Sequence, residues 1–88
     1  MSKNRKNLSV FINKTEDGRN NACGQNVYLL RKKLNLSQRG LADKLQLMGL
    51  DVNKNAIQRI ESGQRFVTDI ELLFLKEALN VQFEELFG

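Results

Sequence analysis

From Val27 onward the apolar residues recur at helical spacing, in four groups separated by polar junctions. Val27, Leu30 and Leu34 form the first inward stripe and predict a helix from about Gln25 to Leu34, with Arg31 beside the stripe and partly buried. Asn35-Leu36-Ser37-Gln38 is a junction in which Ser37 can cap a second helix, continued by Leu41, Ala42, Leu45 and Met48 and stopped near Gly49. Asn53 can cap a third helix whose inner side is Ala56, Ile57 and Ile60, and Gly63 can take the left-handed conformation just past its end. Thr68-Asp69-Ile70-Glu71 has the form of a capping box and opens a fourth, with Leu72, Leu75, Ala78 and Leu79 inward and Asn80 as its stop. Phe83 to Phe87 predicts one last short turn of helix. The expectation is an all-α fold: a compact domain of five short helices over residues 22–88, preceded by a polar, basic arm over residues 1–21.

That arm is Asn-rich and, apart from Leu8, Val10, Phe11 and Ile12, has little to bury, so it is expected to be mobile. It could be an unstructured leader, a basic arm that orders along a polyanion, or a segment that pairs with a second subunit. Leu8-Ser9-Val10-Phe11-Ile12 could become extended against an available edge.

Charge changes the picture. Net charge is +4, unevenly spread: residues 1–24 carry five Lys/Arg against two Asp/Glu, residues 25–63 seven against three, and residues 64–88 two against five. A basic body with an acidic end points to a polyanionic partner on one side and another role for the C-terminal end. The third helix sharpens this. Its outer face, Lys54, Asn55, Gln58, Arg59 and Ser62, is polar and cationic and has no carboxylate. Such side chains read base edges or hold phosphates in DNA, although the same face would also suit a solvated surface helix.

Candidate chemistry is sparse. Histidine is absent and Cys23 is the single cysteine, so neither a Cys–His pair nor a zinc cluster can be assembled, and Cys23 reads as a packing residue in a reducing compartment. With no Gly-rich phosphate loop either, no enzymatic activity and no cofactor are expected. No apolar run approaches the roughly 20 residues that span a bilayer, and no secretion signal opens the chain, so a cytoplasmic location is expected.

The residues Leu30-Arg31, Leu36-Ser37-Gln38, Leu41-Ala42, Ile57-Gln58-Arg59-Ile60-Glu61-Ser62-Gly63, Leu72-x-x-Leu75 and Ala78-Leu79-x-Val81 occur in the order found in one family. From about Gly24 to Phe87 the chain resembles the lambda-repressor-like helix-turn-helix proteins, also called the Cro/repressor or XRE type. The resemblance implies binding to operator DNA, often as a dimer, with the third helix in the major groove. It implies that Gln38 grips a phosphate while touching the third helix, that Lys54, Asn55 and Arg59 stand at reading positions, and that Arg65 contacts backbone phosphate. Asn53 and Gln58 complete the expected DNA-binding set. It further implies an internal salt bridge between Arg31 and Glu61, which would explain the one carboxylate of the third helix. Two departures stand out. Ala42 to Ile57 spans fifteen positions, about five more than the usual spacing, and Val67 stands where proline is common.

The function expected is that of a sequence-specific DNA-binding transcriptional regulator, acting as a repressor and controlled by self-association, a partner protein or abundance. The alternative of the same fold is an antitoxin or protein-interaction module that holds a partner and represses its own promoter. Leu73, Phe74, Phe83, Leu86 and Phe87 exceed the apolar surface that five short helices need. Phe83 and Leu86 are the candidates for closing the core, and Leu73, Phe74 or Phe87 for an exposed patch. A weak homodimer through the last two helices is expected, with another protein partner as the alternative.

Overall fold

Three of the helix starts follow from local capping chemistry. A computed structural model describes residues 13–88, in which α1 (Gly24–Lys33), α2 (Gln38–Leu47), α3 (Lys54–Ser62) and α4 (Asp69–Leu79) are followed by a 3-10 turn, Phe83–Leu86. Ser37 accepts from the Gly40 N–H, Asn53 from the Ala56 N–H, and Thr68 from the Glu71 N–H while Glu71 reaches back to the Thr68 N–H. Each satisfies N–H groups that the first turn leaves without an intrahelical partner. At the other ends Gly63 and Asn80 adopt left-handed backbone and turn the chain out of α3 and α4.

Among the described residues there are four α-helices, and the expected fifth is a 3-10 turn. Burial identifies the inner faces. Val27 of α1, Leu41, Ala42 and Leu45 of α2, Ile57 and Ile60 of α3, and Leu75, Ala78 and Leu79 of α4 form one core with Cys23, Val52 and Leu86. The helix α3 packs on α1 and α2, α4 packs on the same pair, and the 3-10 turn closes the end against α1 and α4. The Asn26 side chain donates to the Leu86 carbonyl at 3.0 Å and ties that closure to α1. Two residues expected to face inward do not. Leu34 and Met48 fall just beyond the ends of α1 and α2, where the chain turns away, and both are exposed.

The five extra residues between α2 and α3 do not extend α2 far. The helix ends at Leu47, which is 90% exposed, and the turn then folds inward. Val52 is buried, Leu50 packs on the core, and the Gln46 amide donates to the Val52 carbonyl at 2.5 Å. The insertion is thus anchored through Leu50 and Val52.

The expectation of a mobile arm through residue 21 is corrected for residues 13–21. These fold back over the C-terminal end of α3, where Arg19 and Asn21 donate to its Glu61 and Ile60 carbonyls and Asn20 to the Gln64 carbonyl just beyond it. The segment Leu8–Ile12 and the rest of the arm lie outside the described residues. Among the described residues no helix is long and apolar enough to cross a membrane.

Candidate nucleic-acid interface

The interface is organised by one buried carboxylate. Glu61, in the last turn of α3, has a side chain only 7% exposed and accepts from Arg31 of α1 through Nε at 2.5 Å and a second guanidinium nitrogen at 2.9 Å. The amide of Gln38, first residue of α2, donates to the same carboxylate at 3.0 Å. Arg31 spends a further N–H on the Leu36 carbonyl at 3.1 Å, in the α1–α2 turn, and its guanidinium lies 5.2 Å from the Tyr28 ring centre. Three helices and one turn therefore meet at Glu61. Its hydrogen bond raises the Arg31 pKa above the ordinary guanidinium value, against the opposing effect of burial.

With that edge of α3 held inward, the opposite edge is open. Ala56, Ile57 and Ile60 are buried, while Lys54, Asn55, Gln58, Arg59 and Ser62 are exposed. Asn53 is exposed at the helix start, its side chain engaged in capping. A shallow groove runs between α2 and the beginning of α3, lined by Arg39, Gln46, Asn53, Lys54 and Asn55, with Asp43 on its α2 side. Arg39 is absent from the sequence-derived set. Its signal was its position, next to Gln38 in the first turn of α2 with no apolar role.

Arg65, expected to contact phosphate, is also engaged within the fold. Its guanidinium lies 3.1 Å from both carboxylate oxygens of Glu71, the residue that closes the capping box of α4. Part of its charge is thereby neutralised in the free protein. The pair fastens the loop between α3 and α4.

The proposed apolar surface also rearranges. Leu86 is fully buried and belongs to the core, because the 3-10 turn aims it between α1 and α4. Phe74 is half-buried against that core. Phe83, expected to close the core, instead lies at the surface edge-to-face with Phe87, ring centres 5.6 Å apart. Leu73 is 57% exposed, and so are Ile70 at 62%, one turn earlier on α4, and Phe66 at 55%, in the preceding loop. Ile70 and Phe66 were missed because a helix N-terminus and a loop give no periodic cue.

A family model described as helix-turn-helix matches residues 27–86. The chain belongs to the XRE-type helix-turn-helix family. That family is a fold of DNA-binding transcription regulators rather than a typically enzymatic one. Among solved structures the chain is similar to the restriction-modification controller protein C.AhdI from Aeromonas hydrophila, at 33% identity and a TM-score of 0.64, over 73% of this chain and 86% of that one. No curated protein matches it.

Proposed function

We propose that this chain is a cytoplasmic, sequence-specific repressor that lays α3 in the major groove of operator DNA. The observation that carries the reading is the carboxylate-free face of Lys54, Asn55, Gln58 and Arg59 on a helix whose lone acid, Glu61, is turned inward and neutralised by Arg31. Asn and Gln offer the paired donor and acceptor that fit adenine, and Arg and Lys the donors that fit guanine. Gln38 and Asn53 flank this face, and Arg39 adds a cation along the groove beside it. Arg65 acts mainly through the loop it fastens to Glu71. Similarity to a controller protein supports a regulatory role for such binding.

The exposed Phe66, Ile70 and Leu73 support self-association as a weak homodimer through α4, which would set two copies of α3 on half-sites about one DNA turn apart, roughly 34–36 Å. A second reading, a protein-binding module, draws on the Phe83–Phe87 pair, which flanks the acidic Glu84 and Glu85 in the chain. Selection from randomised duplexes tests the main reading. The expected product is one motif with two half-sites, bound with an affinity that falls steeply with salt. Failure to enrich any motif, together with no retention of duplex at low salt, would reject it.

A further inference from the structure

The final carbonyls of a helix have no partners within it, and one upstream tripeptide supplies donors to two of those of α3, Ile60 and Glu61, and to the three residues that follow the helix. Arg19 donates from its guanidinium to the Glu61 carbonyl at 2.6 Å. Asn20 donates its backbone N–H to the Gly63 carbonyl at 2.7 Å and its side-chain amide to the Gln64 carbonyl at 2.8 Å. The buried Asn21 donates to the Ile60 carbonyl at 3.0 Å and the Arg65 carbonyl at 2.8 Å, while its side-chain oxygen accepts from the Gly24 N–H at 2.8 Å. Asn21 thus joins the start of α1 to the end of α3. The join is tight: a Cβ on Gly24 would stand 2.0 Å from the Ile60 carbonyl oxygen. The Arg19 charge also suits the negative end of the α3 dipole.

Glu61 is in consequence fastened twice, by its carboxylate to Arg31 and Gln38 and by its carbonyl to Arg19. Arg59 stands two residues earlier on the same turn, so movement of this end carries Arg59 with it. We propose that Arg19-Asn20-Asn21 is a positioning latch that fixes the pose of α3 and so sets sequence discrimination without itself touching DNA. The proposal rests on the DNA-reading role of α3. It separates the three residues from the charged arm that precedes them, and it makes Arg19 a donor to the helix rather than a phosphate ligand.

The test uses the full chain with Arg19→Ala, Arg19→Gln and Asn21→Asp, measuring affinity for the selected duplex and for a random duplex, the salt slope of each, and the thermal midpoint. Arg19→Ala is expected to lower the ratio of the two affinities about fivefold, the low end for one bidentate base contact, with an unchanged salt slope. Arg19→Gln keeps an amide donor but no charge and is expected to retain most of the ratio. Asn21→Asp keeps the acceptor for Gly24, loses both donors and turns a carboxylate toward the α3 carbonyls, so the ratio should fall at least as far. Equal weakening on both duplexes in Arg19→Ala and Arg19→Gln, with the slope lowered by about one unit, would make Arg19 a phosphate contact and overturn the latch. A lower thermal midpoint with an unchanged ratio would also overturn it. If the unaltered chain prefers no duplex, the reading role of α3 fails separately. Amide exchange at Gln64 and Arg65 then decides the latch: acceleration in Arg19→Ala upholds it, and unchanged rates overturn it.

Discussion

Replacing Arg31 with Met removes two donors from Glu61 and one from the Leu36 carbonyl while keeping much of the side chain's apolar bulk. Glu61 then keeps its charge in a site only 7% exposed, with Gln38 as its one remaining side-chain donor. Breaking a buried pair in this way costs about 3–5 kcal/mol. Domains hold about 0.05–0.15 kcal/mol per residue, so a chain of this length has on the order of 4–13 kcal/mol in all, and the single substitution should remove a large fraction of it. The double variant Arg31→Met/Glu61→Leu takes both charges away and is expected to lose less than either single change, because no bare ion remains. It still strands the Gln38 amide and the Leu36 carbonyl, at about 1 kcal/mol each. Urea unfolding followed by far-ultraviolet circular dichroism measures the three variants, with an unchanged denaturant slope showing that the free energies are comparable. A single-variant loss below about 1 kcal/mol, or a double-variant loss equal to the sum of the singles, would refute a desolvated pair. The Arg31 pKa is raised in the fold, so its contribution is fully present below the unfolded value and is lost only as pH climbs through the higher folded one. Between about pH 5 and 9 this group should therefore leave stability flat.

Other outcomes follow from single contacts. Asn55→Ala and Arg59→Ala should each relax preference at particular base pairs, by roughly 1–3 kcal/mol, and repeated duplex selection with each variant would show which positions lose information; equal losses on specific and random DNA would remove them from the reading set. Leu73→Glu or Ile70→Glu should abolish self-association while sparing the fold, seen by sedimentation with and without a duplex of two half-sites; one chain bound at saturation by the unaltered protein would end the dimer proposal. Burial raises the Cys23 thiol pKa, so a disulfide reagent should react at the rate of unfolding; the same shift leaves the thiol's contribution intact below the unfolded value and removes it as pH rises above about 8.5. Gly24→Ala should be severely destabilising in a thermal melt, because its Cβ meets a backbone carbonyl that cannot rotate away; a midpoint within a few degrees of the original would show that α1 and α3 can separate there.

The sequence by itself determined the caps of α2, α3 and α4, most of the inner faces, and the outer chemistry of α3. Ser37, Asn53, Thr68 and Gly63 act on backbone groups within a few residues, so their roles are written locally. The Arg31–Glu61 contact joins residues thirty positions apart; neither partner specifies the other, and only the family resemblance suggested it. Tertiary structure alone decided the rest. Asn21 looks like any polar residue of an Asn-rich leader, and its role exists only because the fold brings the end of α3, 39 and more residues away, to it at the start of α1. Leu86 and Phe83 have the same apolar credentials three positions apart, but a 3-10 turn aims one into the core and the other at solvent. Arg65 has the sequence context of a phosphate ligand, and nothing local says that the loop also brings it to Glu71. Capping and periodicity are short-range and survive in one dimension, whereas the partner of a long polar side chain depends on which distant backbone the fold delivers to it.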